Sequence, residues 1–416
     1  MSLQRRERIV VVGAGYGGVG TALRLARIAS RQTTIHLVDG RAEHQLITRL
    51  HEVAAGRLAP AAAAVPLRVL LAGTSVLLHR AWVEGIDVQR GRVFTSDGVL
   101  EYDRLVLAPG SQTDHRGVPG APQLTVPLRT LEDALRVRER LATLLRGRPG
   151  RACSGKNGSE LTVQVVGGGY TGVELAAELA DLPGRSARAL RVGLLEAGPR
   201  VLPQSAAWLG NEAAASLERL GVQVFLDTPC LAVDRSGVQV AGGHIRADLV
   251  VWATGVRAPG WLRDAGLQVT GAGRALVDHT LAAVGHPEVL VLGDAAAATD
   301  SHGAELPASA QIAVQQAARV ADNVAAALLG RPAQAFVPRL DGEALSLGAH
   351  GGLARVGPLG LEGTPAVLVK KVATARYLGQ LGGPVLGALQ CARQHVWDWR
   401  PQPTAWLPER DTERAA

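Results

Sequence analysis

Two glycine triplets in this sequence have the spacing of a phosphate cradle, and each is followed by an acid suited to a ribose. Gly13-x-Gly15-x-x-Gly18 lies in "RIVVVGAGYGG", with Asp39 ending "TTIHLVD". Gly167-x-Gly169-x-x-Gly172 lies in "LTVQVVGGGYTGVELAAE", with Glu196 near the end of "LRVGLLEAG". The first glycine of such a set makes the tight turn, the second lets backbone approach a pyrophosphate, and the third lets helix pack on strand. A third group is the amide pair Gln311 and Gln315 in "AQIAVQQ". Four residues is one helical turn, so both amides share a face while Gln316 points elsewhere. Amides on an apolar wall suit a neutral carbonyl ligand, but two such residues also fit the polar face of a surface helix.

The elements around the glycines have the required order. In each case an apolar strand-like run enters the turn, an Ala/Leu-rich helical pattern follows, and a second strand ends at the acid. Two complete units in one chain imply two dinucleotides. A flavin enzyme that draws hydride from a nicotinamide has this organisation, with FAD on the N-terminal unit and NAD(P) on the second. Glu196 favours the ribose diol of NADH, although Arg200 close by leaves NADPH open. The stretch 147–160, "GRPGRACSGKNGSE", reads as a surface connection.

Composition sets further bounds. The chain has 416 residues, 47% hydrophobic and only 3% aromatic, so its cores must be built from Val, Leu and Ala. Its formal charge is +7, carried almost entirely by Arg, with Lys only at 156, 370 and 371. No zinc-finger or basic-zipper pattern accompanies that charge, so nucleic acid is not an expected partner. Cys153, Cys230 and Cys391 form no CxxC or CxxxxC, so neither a redox dithiol nor a metal site is expected. That usage suits a reducing cytoplasm. After "MSLQRRER" the chain enters a strand directly, so no signal peptide is expected. No run of about eighteen apolar residues is present, so membrane contact is expected to be peripheral.

From about residue 8 to 363 the chain resembles the two-dinucleotide flavoproteins, and within them the type II NADH:quinone oxidoreductases. The resemblance rests on "EHQLITRLHEVAAGRLAPAAAAVPLR" (43–68), "YDRLVLAPGSQT" (102–113), "ADLVVWATGVRAP" (247–259), "VLVLGDAAA" (289–297), "PASAQIAVQQAARVADNV" and "SLGAHGGLARVG" (346–357). It implies that Gly110 closes the first FAD unit and that Asp294 bonds the ribityl chain. It also implies that Gln311 and Gln315 line a quinone pocket. Glu174 is implied to sit near the nicotinamide and quinone side, orienting the one or relaying protons to the other; a first-turn glutamate facing the helix dipole is the plainer reading. Glu178 reads as an ordinary helix residue.

The chain departs from the family in two places. "QLITRL" replaces an aromatic and a proline, putting Arg49 where it could alter the flavin's potential or the flavin's partner. The C-terminal stretch 366–400 is broken by Gly382-Gly383-Pro384, yet mixes basic residues with Trp397 and Trp399 as an interfacial anchor does.

The expected fold is α/β, with two Rossmann-like domains and a C-terminal region. A discontinuous FAD domain (1–118 and 285–335) would carry an inserted NAD domain (119–284), and 336–416 would face a membrane. The expected activity is hydride transfer from NADH to FAD and then two electrons to a quinone, without proton pumping, on the cytoplasmic face. Rival readings are a sulfide:quinone oxidoreductase, a soluble flavoprotein reductase and a flavin-binding redox sensor. No motif decides whether the chain forms a homodimer.

Overall fold

A computed structural model describes residues 6–29, 33–146, 160–182, 189–339, 342–349 and 351–398, with side chains described to residue 383. The connection 147–159 with Cys153, the side chains of Cys391, Arg393 and Trp397, and Trp399 and Arg400 lie outside these residues. The strands that position the site are, in chain order, β1 (Glu7–Val12), β2 (Thr33–Val38), β3 (Val76–His79) and β4 (Arg104–Leu107). They continue with β5 (Glu160–Val166), β6 (Ala189–Leu195), β7 (Leu249–Trp252), β8 (His286–Val291), β9 (Gly342–Leu347) and β10 (Gly351–Val356). The helices are α1 (Tyr16–Ile28), α2 (Leu50–Ala54), α3 (Tyr170–Ala180), α4 (Ala310–Leu328) and α5 (Thr364–Asp398).

The chain forms two compact units. The first takes Met1–Gln45, Ala64–Thr113 and Val256–Leu340. Its main sheet runs in the order Ala282–Ala283, β8, β4, β1, β2, β3, with β8, β4, β1, β2 and β3 parallel. β1 and β4 are central, and both are near-continuous apolar runs because helices cover both faces of a parallel sheet. α1 packs against α4 so closely that a Cβ on Gly20 would lie 3.1 Å from the Ala317 methyl.

The second unit takes Leu46–Ala63, Asp114–Gly255 and Asp341–Ala416. Its parallel sheet runs Val126–Pro127, β7, β5, β6, Gln223–Phe225. α2 packs on α3 and on the helix Leu131–Arg146, and α5 packs on the β9–β10 hairpin. The helical stretch of α5 breaks at Gly382 and Gly383, where the glycines were expected to interrupt it.

The boundaries differ from expectation, and residues 341–416, expected as part of a region of its own, fall in the second unit. Residues 256–284, expected in the inserted domain, belong to the first unit, because Ala275–Leu276 pairs with Ala296–Ala297 and Ala282–Ala283 pairs beside β8. Residues 46–63, expected with the first domain, pack with the second unit, where α2 lies against α3.

Candidate functional site

The first glycine loop joins β1 to α1. Gly13 has φ +94°, and a Cβ there would lie 2.2 Å from Ala108 O on β4's continuation. A Cβ on Gly18 would lie 1.7 Å from Gly13 O, so helix and turn meet backbone to backbone. Gly15 is different: a Cβ there would meet nothing within 4 Å. It is the N-cap of α1, which has no side-chain cap and no acid in its first turn. The unsatisfied N–H groups of that turn form an anion site, and the open side of Gly15 is the space a pyrophosphate requires.

Asp39 braces this loop. Its carboxylate accepts from Ala14 N–H at 2.7 Å and from Arg41 N–H at 2.8 Å. Behind the loop, the buried His44 ring has Nδ1 2.9 Å from Ala14 O and sits edge-on to Tyr16 at 5.2 Å. Gly110 has φ +70° with open space around it, and nearby in sequence Ser111 Oγ donates to Asp294 Oδ2 at 2.7 Å. Asp294 follows Gly293, whose N–H donates to Gln316 Oε1 at 2.6 Å.

The second loop repeats the design in the second unit. Gly167 has φ +114°, a Cβ on Gly172 would lie 1.8 Å from Gly167 O, and Gly169 is open. Glu196 accepts from Gly168 N–H at 2.6 Å and Gly198 N–H at 2.8 Å, the same two-point brace as Asp39. Arg200, the residue that left NADPH open, donates to Pro203 O at 2.6 Å. Both loops therefore fit the adenine-dinucleotide halves expected of them: a bare helix N-terminus, an open glycine and an acid at the strand end.

Glu174 is buried in the second unit. Lys370 of α5 pairs with its Oε1, and Ser346 N–H donates to the same oxygen at 2.9 Å. His51 Nδ1 stands 3.4 Å from Oε2. The other ring nitrogen of His51 is 3.0 Å from Ser346 Oγ and 3.3 Å from Lys370 Nζ. With Nδ1–H directed at the carboxylate, Nε2 is left to accept from the hydroxyl or the ammonium. The Arg49 guanidinium forks onto Glu52 at 2.9 and 2.5 Å. Burial acts against the Glu52 charge, but Arg49 overrides it and brings the carboxyl down to about 2. Glu178, expected to be ordinary, is buried and paired with Arg57.

His51, Ser346 and Gln316 carry no role in the sequence reading. Lys370 was visible only as part of a basic anchor. Gln316 had a local signal, because it interrupts the otherwise apolar stripe Ile312, Ala313, Ala317 and Val320 on the buried side of α4.

The glutamine pair divides. Gln315 spends its amide on one backbone residue, donating to Arg339 O at 2.7 Å and accepting from Arg339 N–H at 2.8 Å. Gln311 is half-buried in the first turn of α4, after the Ser309 cap. The structure thus distinguishes two residues that the resemblance placed in one pocket.

A pH dependence follows from the two buried imidazoles. Burial holds both His44 and His51 down to about 4. Between pH 6.5 and 4 the unfolded chain therefore binds protons there that the folded chain refuses. Stability from these groups is complete above about pH 6.5 and is lost as pH falls through 4, by roughly 3 kcal/mol at each site. Thermal unfolding should move to lower temperature between pH 7 and pH 5, and His51→Gln should reduce that drop.

Comparison with known proteins agrees with this geometry. Residues 7–317 match the pyridine nucleotide-disulphide oxidoreductase family. Cys230, the free cysteine among the described residues, has no cysteine near it in sequence and has its thiol pushed up by burial. The demethylphylloquinone reductase of Synechocystis sp. is 31% identical over 88% of this chain and 91% of its own length. The type II NADH:quinone oxidoreductase of Staphylococcus aureus is 31% identical over 91% and 97%. NDH2 of Plasmodium falciparum, solved with NADH, is similar in fold with a TM-score of 0.81 at 17% identity, over 96% of this chain and 99% of that one. The sulfide:quinone oxidoreductase of Aquifex aeolicus shares the fold at a TM-score of 0.76, 19% identity, over 91% and 92%. With matched sequence spanning both glycine loops and most of the chain, the protein belongs to the pyridine nucleotide-disulphide oxidoreductase family and, within it, to the type II NADH:quinone oxidoreductases.

Proposed function

We propose that the chain is an FAD-dependent enzyme that oxidises NADH and reduces a quinone. The observation that carries this reading is the pair of braced glycine loops, one in each unit. When bound, the nicotinamide supplies a hydride and the flavin accepts it and passes two electrons to the quinone. The net reaction is NADH + H⁺ + quinone → NAD⁺ + quinol. The protein binds, orients and supplies the proton. Steady-state oxidation of NADH with a soluble quinone, compared with oxygen alone, tests the reading; a rate set by oxygen and indifferent to quinone argues for another acceptor.

In the first unit, the α1 N-terminus holds the FAD pyrophosphate at Gly15, Asp39 faces the ribose, and the Ser111–Asp294 pair near Gly110 holds the ribityl hydroxyls. In the second unit, the α3 N-terminus holds the NADH pyrophosphate at Gly169. Glu196 accepts from the adenosine ribose and opposes a 2′-phosphate. Glu196→Gln removes that charge and keeps an acceptor for only one of the Gly168 and Gly198 N–H groups, so the preference of kcat/KM for NADH over NADPH should shrink. Equal efficiencies in the parent protein contradict this role.

For the quinone side, the Gln311 amide donates to a quinone carbonyl, while Gln315 holds the segment ending at Arg339. Gln311→Leu should lower the efficiency with quinone by roughly two- to tenfold, the cost of one neutral hydrogen bond. Gln315→Leu should instead expose the 330–339 segment to proteolysis. If Gln315→Leu alone slows quinone reduction, the two roles are reversed. Within the second unit, Glu174 and Lys370 form the proton-donating pair of the reaction.

Peripheral membrane contact on the cytoplasmic side is part of the same proposal. Leu368 and Val372 are 60% and 57% exposed one turn apart on α5, beside Lys371. Among the described residues no helix is long and apolar enough to cross a membrane. Flotation with anionic vesicles tests the contact, and Leu368→Ser with Val372→Ser should weaken it.

A further inference from the structure

A row of ionisable groups follows one side of α3 within the second unit. Glu174, Glu178 and Asp181 are spaced four and three residues apart, so they project from one face. Each has a partner from another part of the chain. Lys370 pairs with Glu174. Arg57 pairs with Glu178 and also donates to Asp181 at 3.0 Å, while Ala349 N–H donates to Asp181 at 2.7 Å. The side chains of Glu174 and Glu178 are 7% and 1% exposed, but that of Asp181 is 35% exposed. Asp181 also lines a cavity of about 360 Å³, together with Ser216, Arg219, Leu347 and Glu362. The row thus runs from a solvent-reachable carboxylate, past a fully buried one, to the cluster of Glu174, Lys370, His51 and Ser346.

We propose that Glu178 is the proton-holding residue between solvent in that cavity and the Glu174–Lys370–His51 cluster. The proposal rests on the NADH:quinone reading, because that reaction takes up one proton from water per turnover. A proton from water in the cavity neutralises the Glu178 carboxylate. When the Glu174 cluster has given up a proton, Glu178 returns one to it and becomes a carboxylate again beside Arg57. No electrons move and no bond other than O–H or N–H changes. Cβ atoms four residues apart on a helix are about 5–6 Å from each other, a gap that one water spans.

The surroundings set the group's affinity close to working pH. Burial pushes Glu178 up, Arg57 draws it down, Glu52 of α2 pushes it up and Lys370 of α5 draws it down, leaving it at about 7. Its own helix adds Glu174 and Asp181, and α2 adds His51. A relay works best when its pKa lies near the operating pH. Arg57 cannot be the relay, since its guanidinium stays charged. It is a positioning residue that holds Glu178 and Asp181 side by side.

Two measurements on Glu178→Gln test this. In infrared difference spectra of the unliganded protein, the parent should show a protonated-carboxyl band that titrates near pH 7 and is missing in Glu178→Gln. In anaerobic stopped flow, Glu178→Gln should slow reoxidation by a soluble quinone by roughly tenfold or more and lose its pH dependence, with reduction by NADH unchanged. Glu178→Asp keeps the carboxyl and should keep the band and much of the rate, which separates proton holding from packing. A band that persists in Glu178→Gln, or reoxidation equal to the parent at every pH, overturns the proposal. Equal slowing of both half-reactions assigns Glu178 a structural role and also overturns it. If the parent itself does not pass electrons to quinone, the functional reading fails and takes this proposal with it; a parent that turns over beside an unaffected Glu178→Gln sinks the proposal alone.

Discussion

Gly13→Val should produce a protein that cannot retain FAD. Gly13 sits at φ +94°, a region that costs a β-branched residue about 1–3 kcal/mol. The added Cβ would also lie 2.2 Å from Ala108 O and 2.8 Å from Ala108 C, and these are backbone atoms that cannot turn aside. Relief requires β1 to separate from the chain that follows β4, two central strands of the first unit. The expected result is colourless protein with an early unfolding transition. Gly15→Ala makes the informative contrast. Gly15 has φ −74°, which alanine adopts freely, and its Cβ would meet no protein atom within 4 Å. That variant should fold as the parent does yet bind FAD much more weakly, because the methyl occupies the approach of the pyrophosphate. Flavin absorbance per protein, read beside thermal unfolding, separates the two effects. Gly13→Val protein with the parent's flavin content contradicts the placement of the cradle.

Lys370→Met should be among the most destabilising single changes in the second unit. Lys370 and Glu174 are 15% and 7% exposed, and the ammonium is the charge that answers a buried carboxylate. Removing one member of a buried pair costs roughly 3–5 kcal/mol, because the other is left uncompensated. His51 cannot substitute, since burial keeps its ring neutral at neutral pH. Lys370→Met with Glu174→Gln should recover most of the loss, as neither charge then remains. Chemical denaturation of the two singles and the double gives the coupling directly. Additive losses show that the pair is not coupled. The double variant should be stable but slow with quinone, since it has lost the donor pair.

The two halves of the site differed in how legible they were. The glycine loops are local: strand, turn, helix and acid lie within about thirty residues, so their spacing carries their geometry. The bracing of each loop by its own acid was not visible, since a strand-end carboxylate suits a ribose equally well. The Glu174 cluster is assembled by tertiary folding. Ser346 and Lys370 lie 172 and 196 residues beyond Glu174, and no periodicity links them. The four-residue spacing of Gln311 and Gln315 correctly described one helix face, but not which backbone group would take Gln315. The boundary near 256 was missed for a similar reason, because short strands such as Ala275–Leu276 declare themselves only through their partners.

The central claim is that the same protein accepts a hydride equivalent from NADH and releases an electron pair to a quinone. The direct measurement is anaerobic, on protein loaded with FAD. One equivalent of NADH is added while flavin absorbance is followed, and then one equivalent of a soluble quinone. The expected result is bleaching by NADH, full recovery on adding quinone, and uptake of one proton over the two steps. Bleaching by NADH that oxygen reverses and quinone does not, or no bleaching at all, contradicts the claim.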